Sequence, residues 1–267
     1  MTAASSGMSA MAAYTHRLHG LRSIIHIQQL DDSFADTAAL QAFSDALTQL
    51  HKVVTASAMQ MLVVAQAPEQ NKIQQLIQQQ WQNYQQQNAE GFSATPVNQR
   101  VQQAWVTSTQ VNFCAKAYAT VTVDHADAAP LTVLGGFLRN GYLHGKIREQ
   151  GGAYGGGATQ ESNIAAFRFY SYRDPRLDDT LSDFDQALEW LDETEHEFAA
   201  LEEAILGVIS SIDKPGSPAG EAKQAFHNGL HGRTPEQRRA FRNRILKVTI
   251  SDLKRVAKTY LKPELAS

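Results

Sequence analysis

The first part of the chain shows helical spacing of apolar residues on either side of one short apolar run. Apolar residues recur every three or four positions within residues 37–52, which predicts an amphipathic helix. Residues 59–65 are almost entirely apolar, which predicts a buried strand. Pro68 suits the first turn of a further helix, because apolar residues from Ile73 to Tyr84 form one stripe through a glutamine-rich stretch. The predicted order is therefore helix, strand, helix.

This periodicity disappears between Gln85 and Pro96. Asparagine, glycine, serine and proline gather there, as is typical of a loop or linker. We therefore predict a domain boundary, with residues 1–95 and residues 96–267 belonging to different domains.

The second part of the chain combines strand-like alternation with helical periodicity. A helix is predicted from Leu131 to Glu149, ended by Gly151 and Gly152. Four strands are predicted around that helix, at residues 101–109, 111–123, 153–161 and 164–172. Pairs of strands followed by helices predict an α+β fold, an antiparallel sheet with helices packed on one face.

The last third of the chain is predicted to be helical. Thr234 to Gln237 has the form of a capping box with proline at the first helical position. Ser251 is the predicted cap of the final helix.

Length and composition narrow the class of protein. With 267 residues and 43% hydrophobic side chains, the chain can bury a sizeable core. It contains neither an apolar stretch that could span a membrane nor a recognisable secretory signal, so we expect no membrane partner. The single cysteine, Cys114, is compatible with a reducing compartment, and the cytoplasm is the predicted location.

The net charge of −3 hides two blocks of opposite sign. Residues 174–203 are rich in aspartate and glutamate, and residues 233–258 are rich in arginine and lysine. We interpret the two blocks as solvated helix faces that complement each other, and we expect no nucleic-acid partner. Nucleic-acid binding by the basic helices is the alternative interpretation.

The histidines do not form a recognisable metal motif. His227 and His231 lie four residues apart in a predicted helix, but no carboxylate accompanies them and no third ligand is evident. We interpret them as surface histidines, and His16 and His19 as polar groups on an N-terminal helix. Cys114 has no histidine assigned near it, and no nucleophilic serine motif is present.

The most unusual segment is the glycine-rich cluster at residues 147–157. A phosphate-binding loop is disfavoured, because this loop follows a predicted helix and opens a strand, the reverse of the usual order. Arg148 would end the helix, and Tyr154 would begin the strand six residues later. Such a pair can bind a substrate backbone or a developing oxyanion beside a free strand edge. Alternatively, the arginine interacts with the helix C-terminus and the tyrosine fills the core.

The same cluster carries a resemblance to a known family. Residues 138–157, together with Ala104-Trp105, residues 111–118 and the closing helices, resemble the last domain of the presequence-protease branch of the pitrilysin/insulinase metallopeptidases. The resemblance covers about the last two-thirds of the chain. Residues 1–95 resemble the helix, strand and helix that end the preceding domain, so the two parts correspond to the end of the third domain and to the fourth.

The resemblance implies the metallopeptidase fold of the LuxS/MPP type and a role in peptide hydrolysis. Enzymes of this branch, which are inverzincins, bind zinc through H-x-x-E-H in the N-terminal half. The C-terminal half supplies an arginine and a tyrosine that contact the peptide, and by motif these are Arg148 and Tyr154. Gly151 and Gly152 would shape the turn that orients Tyr154.

The zinc motif is absent from these 267 residues. The resemblance therefore implies that zinc is bound outside this chain and that the chain alone is an inactive, substrate-binding portion of a metalloendopeptidase. Its partners would be a peptide substrate and the N-terminal catalytic half of the same polypeptide. The alternative is a noncatalytic peptide-binding or assembly subunit of a metallopeptidase complex.

Overall fold

The three-dimensional structure is a computed structural model that describes residues 1–82 and 93–267. It contains two compact units. The first comprises Met1–Ile24, Ala94–Lys214 and Pro235–Ser267, and the second comprises Ile25–Ser93 and Pro215–Thr234. Residues 85–92 of the predicted boundary segment, and Tyr84 before it, lie outside the described residues. The boundary between residues 95 and 96 stays a prediction.

Helices dominate the described residues. In chain order they are α1 (Thr2–Ser5), α2 (Ala10–His19), α3 (Leu21–Ser33), α4 (Thr37–Ala56), α5 (Ala67–Gln80), α6 (Ala128–Leu138), a π-helix (Arg139–Gln150), α7 (Asp178–Glu193), α8 (Phe198–Ile212), α9 (Pro218–Leu230), α10 (Pro235–Ile245), α11 (Ile250–Tyr260) and a 3-10 turn (Pro263–Leu265).

The first unit is built on a three-stranded antiparallel sheet. Its strands are β1 (Ala115–Ala119), β2 (Gly155–Glu161) and β3 (Ala166–Tyr172), and β3 lies between the other two. Ala115 lies opposite Tyr170, and Gly155 lies opposite Tyr172. Strand β2 is therefore at an edge of the described sheet.

The core of the first unit lies between this sheet and the helices. Phe167 and Phe169 are alternate residues of β3, so they point to the same face of the sheet, and both are fully buried. Phe169 contacts Phe184 of α7, with ring centroids 5.5 Å apart. Helix α6 is buried over most of its length, and its leucines join the same apolar cluster. The predicted α+β fold, with helices packed on one face of an antiparallel sheet, is confirmed.

Two predicted strands are wrong, and a third is shorter than predicted. Residues 59–65 and 101–109 form no strand, and the strand predicted at 111–123 is limited to Ala115–Ala119. A strand needs a neighbour that accepts and donates its backbone hydrogen bonds. Neither of the first two segments has such a neighbour among the described strands, so their apolar pattern alone does not make them strands.

The predicted helix from Leu131 to Glu149 divides into two forms. Its first part is the regular helix α6, which begins at Ala128, and its second part is the π-helix. The Gly151 amide donates to the carbonyl oxygen of Lys146, five residues earlier, at 2.9 Å. This wider winding ends directly before the glycine-rich loop, and π-helical turns occur often at functional sites.

The predicted start of α10 is confirmed, but the predicted cap of α11 is wrong. Helix α10 begins at Pro235, as predicted. The cap of α11 is Thr249 and not Ser251, because the helix begins at Ile250. The Thr249 hydroxyl accepts from the Asp252 amide at 3.2 Å, and the Asp252 carboxylate accepts from the Thr249 amide at 3.1 Å. Two orphan amides at the start of α11 are thereby satisfied.

The second unit exposes much of its apolar surface. Helices α4, α5 and α9 contain no buried residue. Met59, Met61, Leu62, Val63 and Val64 are all exposed between α4 and α5. Phe34 and Phe43 contact each other at 5.1 Å between ring centroids. Among the helices that the structure describes, none is long and apolar enough to cross a membrane.

Candidate functional site: the turn before strand β2

Arg148 and Tyr154 lie on either side of one tight turn. Arg148 is in the last turn of the π-helix, and Tyr154 directly precedes β2. Three successive amides turn back to this helix end, because Gly151, Gly152 and Ala153 donate to the carbonyl oxygens of residues 146, 148 and 147. The distances are 2.9, 3.1 and 3.1 Å. The three amides that directly precede Tyr154 are thus all hydrogen-bonded to the end of the π-helix.

Each glycine of this turn has its own structural reason. Gly152 has φ +78°, a left-handed conformation that residues with a side chain rarely adopt. Gly151 has ordinary helical dihedral angles, but a Cβ atom there would collide with the Arg176 guanidinium and would lie 2.6 Å from the Ile147 carbonyl oxygen. The turn therefore needs glycine at 152 for conformation and at 151 for space.

Arg176 joins this turn to helix α7. Its Nη2 donates to the Asp183 carboxylate at 2.9 Å and lies 3.4 Å from the Lys146 carbonyl oxygen. Its amide donates at 2.9 Å to Asp174, a fully buried carboxylate that also accepts from the Thr180 hydroxyl at 2.8 Å. These charge-assisted hydrogen bonds fix the end of the π-helix relative to α7.

Both predicted site residues are accessible to a ligand. Arg148 is exposed, and its side chain forms no hydrogen bond or ion pair with any residue in the described ranges. Tyr154 is 65% exposed. Tyr154 is therefore not a core residue, which contradicts the alternative that it fills the core. Whether the two side chains bind a substrate stays a prediction.

Tyr154 belongs to a small aromatic cluster at one end of the sheet. Its ring meets the Tyr172 ring edge-on at 5.5 Å, and Tyr172 meets Phe113 in the same manner at 5.5 Å. The Arg173 guanidinium lies 5.8 Å from the Tyr154 ring centroid and 5.6 Å from that of Tyr172. Sequence reasoning missed all three: Tyr172 and Arg173 become neighbours of Tyr154 only through the β2–β3 register, and Phe113 joins the cluster through Tyr172.

The predicted contact between the two charge blocks is seen at Lys258, and other basic residues pair with acids outside the acidic block. Lys258 of α11 pairs with Asp192 of α7 at 2.7 Å. Arg242 pairs with Asp213, also at 2.7 Å. Arg255 pairs with Asp127 at 2.8 Å, and this guanidinium holds the pKa of the Asp127 carboxyl below its usual range. The basic segment thus forms ion pairs within the first unit.

Among the described residues, the histidines and the cysteine form no cluster of potential metal ligands. His227 and His231 are exposed, as is His19. No group of three or more potential metal ligands occurs in residues 1–82 and 93–267. His16 was predicted to be a polar group on a helix, but it is 3% exposed, and its ring packs edge-on against Trp105 at 6.4 Å. Burial raises the pKa of the Cys114 thiol, which makes it a poor nucleophile.

Comparison with known proteins identifies the family. Residues 102–264 match the family model described as the PreP C-terminal domain. The chain belongs to this family. The match begins before β1 and ends in the 3-10 turn, so the candidate site lies within the PreP C-terminal domain. The predicted membership of the presequence-protease branch is confirmed.

The relatives of this PreP C-terminal domain are much longer proteins. The chain is 44% identical over 152 residues to "Presequence protease, mitochondrial" from Yarrowia lipolytica. It is 42% identical over 151 residues to the protein of the same name from Danio rerio. Each match covers 57% of the chain but only 15% and 14% of these relatives, respectively.

Solved structures show the same fold at low sequence identity. A protease from Helicobacter pylori superposes with a TM-score of 0.59 at 16% identity, over 74% of this chain and 51% of that one. The inactive peptidase domain of a putative zinc protease from Bordetella parapertussis gives a TM-score of 0.50 at 17% identity, over 58% of this chain and 88% of that one. These similarities support the fold assignment.

Proposed function

We propose that this chain is the C-terminal, substrate-binding part of a zinc metalloendopeptidase that degrades unfolded or short peptides. The observation that carries the proposal is the exposed pair Arg148 and Tyr154, held on one hydrogen-bonded turn within the PreP C-terminal domain. The curated relatives are named presequence proteases, which supports peptides as the substrate class.

The chemistry of the pair suits an extended peptide. The Arg148 guanidinium and the Tyr154 hydroxyl are hydrogen-bond donors, and both can donate to a peptide carbonyl oxygen or to the oxyanion formed during hydrolysis. Strand β2 begins directly after Tyr154 and is an edge strand of the described sheet. An extended peptide could therefore add its backbone beside β2 while the two side chains fix its register.

Zinc does not fit the described residues of this chain. They contain no cluster of potential ligands, and the two histidines that lie four apart have no third partner. We therefore assign zinc to residues outside this chain, in an N-terminal catalytic half of the same polypeptide. In this proposal, Arg148 and Tyr154 bind and orient the peptide, and the chain alone is inactive.

The proposal includes no nucleic-acid or membrane partner. Arg242, Arg255 and Lys258 of the basic segment are engaged in ion pairs, which leaves fewer cations for phosphate groups. For the compartment, a single buried cysteine suits a reducing environment such as the predicted cytoplasm. The mitochondrial location in the relatives' names is a second such environment.

Peptide hydrolysis in the presence of zinc tests this function. The chain alone would be compared with the longer polypeptide that carries it, and with that polypeptide bearing Arg148→Ala or Tyr154→Phe. Matched controls are Arg239→Ala, which removes an exposed arginine from α10, and Tyr142→Phe, which removes a different tyrosine hydroxyl, in the π-helix. We expect hydrolysis only by the longer polypeptide, and a fall in kcat/KM of about tenfold or more, roughly 1.4 kcal/mol, for the two site variants alone.

The other outcomes separate the alternatives. If kcat/KM is unchanged in both site variants, Arg148 and Tyr154 are structural and the proposed substrate site is wrong. If the longer polypeptide binds peptides but never cleaves them, the chain is part of a noncatalytic peptide-binding or assembly subunit.

A further inference from the structure

Arg173 contacts Tyr154 through both its backbone and its side chain. The Tyr154 amide donates to the Arg173 carbonyl oxygen at 3.3 Å, which continues the β2–β3 pairing beyond the last strand residues. The Arg173 guanidinium lies near the faces of both Tyr154 and Tyr172, at 5.8 and 5.6 Å. Tyr172 also contacts Tyr154 edge-on at 5.5 Å. Tyr154, although exposed, is therefore held by an arginine and a second tyrosine.

The backbone of Arg173 is unusual as well. Its φ is +50°, and Ala165 is the other residue with a side chain that has a positive φ in the described ranges. Such conformations persist where the surrounding structure enforces them, and they concentrate at functional sites. Here the next residue enforces it: Asp174 is fully buried, and it exchanges backbone hydrogen bonds with Asn112 at 2.7 and 2.9 Å.

The continued β2–β3 register brings the Arg173 side chain beside Tyr154, because residues opposite each other in an antiparallel pair share a face of the sheet. Residues in regular β-strands point alternately to opposite faces of the sheet. Arg173 departs from that geometry at the end of β3, and its guanidinium contacts the ring of its own neighbour, Tyr172, as well as that of Tyr154. The positive φ of Arg173 thus coincides with a contact between one cation and two rings.

We propose that Arg173 is a positioning residue that holds the Tyr154 ring in the orientation needed to bind the peptide. This inference rests on the proposed function, because it assigns Arg173 a role through Tyr154. A cation near an aromatic face is attracted by the ring quadrupole, and the edge-on Tyr172 ring adds a second contact. Together they limit the rotamers of a side chain that solvent would otherwise leave free.

Substitution by glycine gives a sharp test. Arg173→Gly removes the guanidinium, while glycine accepts a φ of +50° more readily than arginine does. Loss of folding is therefore not expected. Ala165→Gly is the matched control, since it makes the same backbone change at the turn between β2 and β3 without affecting a side chain near Tyr154. Arg173→Lys keeps a cation at this position and should therefore retain part of the peptide affinity that Arg173→Gly loses.

Two measurements on the full chain report on positioning. The first is the NMR signal of the Tyr154 ring, which should shift in Arg173→Gly and stay unchanged in Ala165→Gly. The second is the affinity for a fluorescein-labelled unstructured peptide, measured by anisotropy. We expect Arg173→Gly to weaken binding by about two- to fivefold, as expected for losing an exposed cation–π contact. In a Tyr154→Ala background, Arg173→Gly should have no further effect, because its role acts through Tyr154.

Each alternative outcome has a distinct meaning. If Tyr154→Ala weakens binding and Arg173→Gly does not, the positioning role is wrong and the proposed function stands. If Arg173→Gly weakens binding equally with and without Tyr154, Arg173 contacts the peptide itself, and the positioning role is again wrong. If neither substitution changes the affinity, both the inference and the proposed substrate site are wrong.

Discussion

Replacing Gly151 by alanine tests the packing of the turn that carries the candidate site. Gly151 has ordinary helical dihedral angles, so alanine introduces no backbone strain. The added methyl group would collide with the Arg176 guanidinium and would lie 2.6 Å from the Ile147 carbonyl oxygen. We therefore expect Gly151→Ala to destabilise the first unit through steric overlap.

The size of the effect follows from which neighbour moves. If the backbone shifts to relieve the contact with Ile147, the cost is that of overpacking, about 1–3 kcal/mol. If the Arg176 guanidinium moves instead, Asp183 loses an ion-pair partner at 2.9 Å. Breaking a fully buried pair costs about 3–5 kcal/mol, and partial exposure of Arg176 reduces this. We expect a decrease of about 2–4 kcal/mol in the free energy of unfolding.

Urea unfolding followed by tryptophan fluorescence measures this decrease. In a Trp81→Phe background, the remaining tryptophans, Trp105 and Trp190, both lie in the first unit. Gly155→Ala is the matched control, because a Cβ at Gly155 meets no atom within 4 Å, and a change within about 0.5 kcal/mol is expected.

A second arginine variant identifies the neighbour responsible. If Arg176 is the obstacle, Gly151→Ala should cost less in an Arg176→Ala background, with a coupling energy of about 1 kcal/mol or more. Equal stability of Gly151→Ala and the unmodified chain would refute the steric reasoning.

Three further predictions concern the rest of the first unit. The pKa of Asp127 is lowered in the folded state, mainly by its hydrogen bond with Arg255. The ionised carboxylate therefore stabilises the fold above the ordinary aspartate pKa of about 3.9, and this stabilisation is lost as the pH falls through the lower folded pKa. The Asp127→Asn variant should therefore lose less stability than the unmodified chain as the pH falls. Urea unfolding midpoints across this pH range measure the difference, and an unchanged pH profile would contradict the prediction. Cys114 should react with a thiol reagent much more slowly in native buffer than in urea, since it is buried and its thiol pKa is raised. Phe169→Ala should destabilise the first unit by about 3–5 kcal/mol, because Phe169 is fully buried, and a loss below 1 kcal/mol would show that the core repacks there.

The sequence was most informative where local pattern and tertiary packing agree. The alternation that ends at Tyr172 predicted β3, whose Phe167 and Phe169 face the core. Helix α7 likewise opens the last third of the chain, which was predicted to be helical. In both elements the large apolar residues Phe167, Phe169, Phe184 and Leu191 are buried, although β3 also buries Ala166 and Arg168.

The strand predictions at 59–65 and 101–109 failed because strand formation is not a local property. Apolar character favours an extended segment, but pairing requires a second strand, and the sequence does not show which segment supplies it. The π-helix was missed for a related reason. Its apolar residues, such as Leu143 and Ile147, keep nearly helical spacing, and only the hydrogen bond from Gly151 to Lys146 shows the wider turn.

For the candidate site, the sequence predicted the two donors but not the residues around them. Arg148 and Tyr154 lie in one short motif, so the resemblance to a family was enough to identify them. Arg173 is 19 positions beyond Tyr154 in the sequence and becomes its neighbour only through the β2–β3 register. The left-handed conformation of Arg173 has no sequence signal, since glycine or asparagine would be expected there.

The exposed apolar segment between α4 and α5 has a practical consequence for the isolated chain. Residues 59–64 contain no charge, proline or glycine, and they form no backbone hydrogen bond within the described part of the chain. Short segments of this composition drive β-aggregation when they stay exposed. This segment should therefore limit the solubility of the chain, and the aggregated fraction should rise with protein concentration. A lysine at Leu62 would act as a gatekeeper against such assembly, without altering the unit that carries Tyr154.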